Sequence, residues 1–305
     1  MLRTGSIRLA KHRVIVYQYG KVGSTSLVNA LNKLRNVEAF QSHFLGKKAF
    51  NDTIERILTA GVSDYFFEHS LGQLVDNIKV HRHYVNRYHG VNDDPLTVLT
   101  ACREPWDWFR SSITQDIQGH LESLSTMLDK RGRPGLDNDT LISEGLALVF
   151  DWLLSTIDYY GSLDGLCQGS RWPDLRENTE YVDVDDFRSL MFFLNVFLRP
   201  HVWFQHHLAK TFAVELQEFE LMDYDAYRLT REWGNIYLLK YESMASAIDP
   251  VLQEVGITQQ LKLKRSNVSA RKSFVETIRA AFASPRALEL KSKCSSEDTR
   301  YLGYT

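Results

Sequence analysis

The segment Arg13-Val14-Ile15-Val16-Tyr17-Gln18-Tyr19-Gly20-Lys21-Val22-Gly23-Ser24-Thr25-Ser26 constrains this chain more than any other. An apolar run breaks into a Gly-Lys-x-Gly-Ser-Thr-Ser turn, and apolar residues at helical spacing (Leu27, Ala30, Leu31, Leu34) follow at once. The pattern predicts a buried strand over 13–19 and a helix over 24–35, joined by a tight glycine loop. That unit is a cradle for an anion. The first N–H groups of a helix have no partner inside it, and the positive end of its dipole points the same way. Lys21 adds a full charge, and the hydroxyls of Ser24, Thr25 and Ser26 add donors.

The rest of the chain alternates in kind. Residues 37–42 read as a short strand ending at His43, and 47–60 and 64–89 as helices. Leu96 to Cys102 is apolar nearly throughout, as strands covered on both faces are. Pro105 suits the first turn of a helix running to about residue 118. Residues 129–139 are charged and rich in turn formers, which predicts a loop. A long apolar helix follows over 140–160, then an irregular connector over 162–183 and helix over 185–212. Ile236 to Tyr241 is a further strand, with a helix from about Glu242 to Glu254 behind it. Residues 270–290 read as an amphipathic helix. Strands alternating with helices imply an α/β fold with a central, mostly parallel β-sheet flanked by helices. The 305 residues, 44% of them apolar, suffice for one domain with a sizeable core. The helix-rich stretch, roughly 120–212, reads as an insertion in it.

Charge and cysteine usage narrow the function. A formal net charge of −2 gives no basic field to draw in nucleic acid. Cys102, Cys167 and Cys294 are odd in number and far apart. They match neither a disulfide framework nor a zinc motif, so a reducing compartment is the simplest inference. Met1 to Arg13 is basic with no apolar core of a signal peptide, and no run approaches 18 apolar residues, so no membrane span is expected. A cytoplasmic location follows as the expectation.

Which phosphate binder is this loop? A Walker A loop places its lysine after the last glycine, whereas Lys21 precedes Gly23. A Gly-x-Gly-x-x-Gly dinucleotide loop is absent. The strand Leu96–Cys102 runs into Arg103 and not into an aspartate that would hold magnesium for a nucleoside triphosphatase. The loop therefore suits a phosphate site that works without a metal. A second motif follows: Cys102-Arg103-Glu104-Pro105-Trp106-Asp107-Trp108-Phe109-Arg110-Ser111-Ser112. Arg103 stands at a strand end, with Ser111 about two helical turns on. An arginine fork and a hydroxyl so spaced can grip one phosphate. The two motifs together describe a nucleotide with separated phosphates.

At these residues the chain resembles the sulfotransferases that use 3′-phosphoadenosine 5′-phosphosulfate (PAPS). Lys21-Val22-Gly23-Ser24-Thr25-Ser26 resembles the Lys-Thr-Gly-Ser-Thr-Ser loop of carbohydrate sulfotransferases, which binds the 5′-phosphate. Arg103-Glu104-Pro105 with Ser111 is similar to the Arg-Asp-Pro…Ser element that binds the 3′-phosphate. Tyr241-Glu242 is similar to a recurring Tyr-Glu-Asp/Ser turn. Asn267-Val268-Ser269-Ala270-Arg271-Lys272 resembles an Asn-x-Ser-x-Lys-Lys stretch of a bacterial branch linked to capsular polysaccharide synthesis. The likeness covers about half the chain and leaves 120–235 mostly unmatched. Gly20 stands where a proline is frequent in that group. The resemblance implies a P-loop-like sulfotransferase fold, PAPS as sulfuryl donor with 3′-phosphoadenosine 5′-phosphate (PAP) as product, and a hydroxyl acceptor on a glycan or polysaccharide. Cofactor contacts fall to Lys21, Gly23, Ser24, Thr25, Ser26, Arg103 and Ser111, and Lys21 stabilises the leaving phosphate oxygen.

His43 is the candidate base. Ends of neighbouring parallel strands face the ligand crevice, and a histidine there can take a hydroxyl proton near neutral pH. Read alone it is equally a hydrogen-bonded core histidine, with Glu68 and His69 as reserve bases. Trp106 and Trp108 read as packing residues before an adenine platform. His81, His83 and His89, interleaved with Arg82 and Arg87, read as a solvated helix face before a metal site. His201, His206 and His207 read as surface or packing residues. Two other readings stand beside the transferase: a metal-dependent nucleotide kinase with an unusual loop, and a nucleotide- or glycan-binding protein without catalysis. The acceptor and the oligomeric state are not legible.

Overall fold

Six strands build one sheet: β1 (His12–Tyr17), β2 (Val37–Ser42), β3 (Leu96–Cys102), β4 (Glu220–Leu221), β5 (Ala226–Arg231) and β6 (Gly234–Lys240). They come from a computed structural model, which describes residues 12–43, 45, 51, 55, 75, 78, 80, 95–169, 184–263 and 273–304. The order is β2-β1-β3-β6-β5-β4. β1 runs parallel to β2 and β3, and β3 parallel to β6, while β5 is antiparallel to both β6 and β4. The sheet is thus mixed: four strands are parallel, in line with the expected mostly parallel sheet, and an antiparallel hairpin, which was not expected, extends them. β5 escaped notice because Ala-Tyr-Arg-Leu-Thr-Arg lacks the apolar run of a central strand. Its arginines are paired instead, Arg228 with Glu220 and Glu254, and Arg231 with Glu218.

The strand order sets the site. From β1 the chain passes to β2 on one side, then to β3 on the other. Such a reversal opens a crevice at the carboxyl ends of the two strands. β3, the expected apolar strand, is buried at all seven positions. Its first residue lies opposite Gly234. There φ is +148° and an added Cβ would stand 2.1 Å from the Leu96 carbonyl oxygen, so only glycine lets β6 approach.

The helices are α1 (Ser24–Leu31), α2 (Pro105–Asp116), α3 (Leu121–Asp129), α4 (Asn138–Tyr159), α5 (Leu163–Gly169), α6 (Val184–Trp203), α7 (Met244–Glu254), α8 (Val275–Phe282), α9 (Pro285–Ser292) and α10 (Glu297–Tyr301). α1 ends before residue 35 because the Asn32 side chain ties the chain to β2. Its amide donates to the Ala39 carbonyl at 3.1 Å and its oxygen accepts the Ala39 N–H at 2.7 Å. The helical stretch expected over 185–212 is continuous but changes its winding after Trp203. Residues Phe204–Ala209 continue with π-type winding, and a last turn ends at Ala213 with φ 53°. Pro200 removes a backbone donor from the end of α6. The tail expected as one helix is two, because Ser284 caps α9 through the Ala287 N–H and Pro285 occupies its first turn.

Contacts divide the described residues into two compact units. One holds the sheet, α1 and α7; the other holds Glu104–Trp203 and residues 273–304. In the second, α4 packs against α3, α6, α8 and α9. Trp106 lies among Phe109, Phe150 and Phe282 with ring centroids 4.9–6.1 Å apart. Trp106 and Trp108 are therefore core residues, each burial contributing on the order of 1.5–3 kcal/mol. α4 is long and apolar enough by length and composition to cross a membrane, but 61% of that window is buried inside the protein, as in a core helix.

Candidate functional site

The residue following each parallel strand lands on one edge of the sheet. Register aligns the strand ends Tyr17 with Ser42, and Cys102 with Lys240. The chain then leaves through Gln18, His43, Arg103 and Tyr241. All four, and the loop after β1, belong to the sheet unit.

The loop is wound left-handed. Gly20, Lys21 and Gly23 have φ of 83°, 56° and 81°. Left-handed residues in a short turn make successive N–H groups converge, which builds an anion-binding concavity. For Lys21 this conformation costs about 1–2 kcal/mol that a glycine would not incur. Gly23 is the N-cap of α1, has no side chain to cap it, and no acidic residue stands in the first turn. Among the three hydroxyls, Ser24 is buried, Thr25 exposed and Ser26 intermediate. The Ser24 Oγ is turned to β2 and accepts the Gln41 amide at 2.8 Å.

His43 is held from both ring nitrogens. Nδ1 lies 2.7 Å from the Gln18 carbonyl oxygen, which only accepts, so Nδ1–H is the donor. In the neutral ring Nε2 then carries the lone pair. It faces the Gln41 amide nitrogen at 3.2 Å, and the Gln41 N–H donates to it. The ring edge also lies 3.8 Å from where a Cβ on Gly20 would sit. The histidine expected to be a base is thus beside the glycine loop, with Nδ1 carrying the proton and Nε2 the lone pair.

Arg103 is joined to the same loop. Its backbone N–H donates to the Tyr19 hydroxyl at 3.0 Å, and its Nη1 donates to the Lys21 carbonyl at 3.4 Å. The guanidinium sits over the Tyr241 ring, 4.7 Å from its centroid. The edge of that ring is 3.4 Å from a Cβ built on Gly23. A side chain at 23 would therefore strain the backbone and crowd the ring. Burial raises the Tyr19 phenol well above the usual tyrosine range, so it stays neutral and accepts the Arg103 N–H.

The structure thus brings Lys21, Gly23, Ser24, Thr25, Ser26, His43 and Arg103 to one edge. Ser111 lies part-exposed on α2, in the other unit. Glu68, His69, the histidines at 81, 83 and 89, and Asn267–Lys272 lie outside the described residues. His201 is a packing residue, buried in the second unit. Sequence reasoning overlooked Gln18, Tyr19 and Gln41 and read little from Tyr241. The available signal was position: each stands at or beside the end of a predicted strand. Gln18 is fully buried, and its side-chain amide finds no partner among the described residues.

Amides, a lysine, an arginine and hydroxyls are the donor set that suits phosphate oxygens. Among the described residues no three His, Cys, Asp or Glu side chains gather to hold a metal ion. No family model matches the chain, and no curated protein or solved structure matches it.

Proposed function

We propose that this protein is a PAPS-dependent sulfotransferase of the P-loop-like sulfotransferase fold, acting on a hydroxyl of a carbohydrate or polysaccharide. One observation carries the reading: the left-handed loop at 20–23, a histidine with its lone pair fixed on Nε2, and an arginine bonded to that loop share one sheet edge. When bound, PAPS supplies an activated sulfuryl group and leaves as a bisphosphate.

The chain's own groups then have distinct tasks. Backbone N–H groups from Gly23 to Ser26 hold the 5′-phosphate with help from the α1 dipole. Lys21 offsets charge growing on the leaving phosphate oxygen. Arg103 holds the 3′-phosphate, the group that separates PAPS from adenosine phosphosulfate. His43 Nε2 takes the acceptor hydroxyl proton, while Nδ1–H stays on the Gln18 carbonyl and stabilises the imidazolium that forms.

Titration calorimetry with PAP, AMP and ATP tests this on the wild type and on Arg103→Ala. PAP should bind at least tenfold tighter than AMP, and Arg103→Ala should erase most of that difference. Equal affinity for PAP and AMP sinks the reading. Magnesium-dependent ATP turnover without PAP binding favours a kinase, and PAP binding without transfer to any glycan favours a binding protein.

A further inference from the structure

Gln41 does more than close a strand. It is the fifth residue of β2, and its amide nitrogen lies 2.8 Å from the Ser24 Oγ and 3.2 Å from His43 Nε2. A primary amide has two N–H bonds, enough to serve both. One reaches the first residue of α1, the helix that begins at the phosphate loop. The other reaches the ring nitrogen that must stay unprotonated for a base.

Three polar contacts therefore form a chain: Ser24 hydroxyl, Gln41 amide, His43 ring, Gln18 carbonyl. The two ends differ in kind. The Gln18 carbonyl compels a proton on Nδ1, and the Gln41 N–H compels a lone pair on Nε2. A reversed amide would set its oxygen against Nε2 and demand a second ring proton, making the ring an imidazolium. Both partners thus select the same neutral tautomer.

We infer that Gln41 is the positioning residue of His43: it holds the ring neutral with the lone pair on Nε2 and ties the ring to the start of the phosphate-loop helix through Ser24. This rests on the proposed role of His43 as base. In the reaction the acceptor hydroxyl takes the place of the Gln41 N–H at Nε2. The hydroxyl O–H bond breaks, its proton passes to Nε2, and the oxygen forms the new bond to sulfur as the bond from sulfur to the leaving oxygen breaks. Gln41 keeps its Ser24 contact throughout, so the ring returns to the same place.

Among the described residues, these charged and titratable groups stand on the elements that carry His43. Lys21 follows Gly20, whose built Cβ would stand 3.8 Å from the ring, and Arg103 is bonded to the Lys21 carbonyl. Tyr17 ends β1, where burial raises its hydroxyl. His12, Arg13 and Glu38 stand at the opposite ends of β1 and β2, the last two as an ion pair at 3.5 Å. Gln41 resists imidazolium formation, because its N–H stabilises the neutral ring.

The test is a pH titration of the full chain labelled with ¹⁵N-histidine, read by two-bond ¹H–¹⁵N correlations that report which ring nitrogen carries the proton. In the wild type, neutral His43 should be the Nδ1–H tautomer. Gln41→Glu replaces a donor with an acceptor of the same shape and should raise the proton affinity of His43 at least tenfold. Gln41→Met, which only removes the donor, should raise it about threefold. A merely structural Gln41 predicts lower stability in both variants and the same His43 titration in each. That result, or an Nε2–H tautomer in the wild type, overturns the inference. All of this is measured without PAPS. A shifted titration in a protein that transfers no sulfate keeps the Gln41 assignment and removes the transferase. In an active enzyme, the acidic limb of kcat/KM should move up in Gln41→Glu by the same factor, with PAP affinity changed less than threefold.

Discussion

His43, at the end of β2, and His201, in the last turn of α6, are held in opposite ways. His43 is partly exposed and has a polar partner at each ring nitrogen. His201 is 3% exposed, with Nδ1 3.1 Å from the Ser296 hydroxyl and Nε2 without a partner among the described residues. Burial drives the His201 pKa down to about 3, against a smaller opposing pull from Asp164. One ring is fixed by hydrogen bonds at both nitrogens. The other is kept neutral by the absence of water. The sheet edge stores polar contacts and backbone strain, which are the raw materials of a site. The helical unit stores apolar burial, which is the raw material of stability.

The largest effects should come from the sheet edge. His43→Ala is expected to slow sulfate transfer from PAPS by about 10²–10⁴-fold. Lys21→Ala is expected to slow it by about 10²–10³-fold. Neither should move the urea midpoint much, since neither side chain fills a core. A radiolabelled PAPS transfer assay over a glycan panel, with urea melts in parallel, checks both. A large loss of stability with unchanged rate in His43→Ala would turn it into a second His201.

How much of this was legible beforehand follows from what each element is made of. β1, β3 and β6 announce themselves as apolar runs because both their faces are covered. The glycine loop is visible because Gly20 and Gly23 adopt positive φ, which few other residues tolerate. His43 and Arg103 each directly follow a strand, as the sequence reading has them. The hydrogen bonds of Gln41, Gln18 and Tyr19 were not legible. They exist only because β1, β2 and β3 align their carboxyl ends, and that is a property of register between segments up to 84 residues apart. β5 was missed because Ala-Tyr-Arg-Leu-Thr-Arg has no apolar run, and its arginines pair with Glu218, Glu220 and Glu254. The break between α8 and α9 was written in Ser284-Pro285, a cap followed by a proline, and was passed over inside an apolar periodicity.

A smaller effect sharpens the contrast from the helical side. The folded pKa of His201, about 3, lies below the ordinary histidine value of 6.5. Between those values the unfolded chain binds a proton that the native state refuses. Stability from this group is therefore full above pH 6.5 and falls as pH drops toward 3, by about 1.4 kcal/mol per pH unit. His201→Phe should flatten that part of the curve while leaving transfer at neutral pH unchanged. Urea denaturation from pH 7 to 4.5 measures it. An unchanged slope in the variant would mean that water reaches the ring.

The smallest effect separates conformation from charge within the loop itself. Lys21 holds φ 56° without being glycine, so the chain tolerates strain there. Lys21→Gly should be about 1 kcal/mol more stable than Lys21→Ala, because only alanine keeps the left-handed penalty. Both variants lack the ammonium and should lose transfer equally. The pair thus isolates the conformational cost from the charge it serves, and paired urea curves with single-turnover rates read the two separately. If glycine recovered rate over alanine, loop shape and not the lysine charge would be what the reaction requires. If glycine brought no gain in stability, the left-handed winding at 21 would carry no strain, and the contrast between a strained sheet edge and a relaxed helical core would lose its footing.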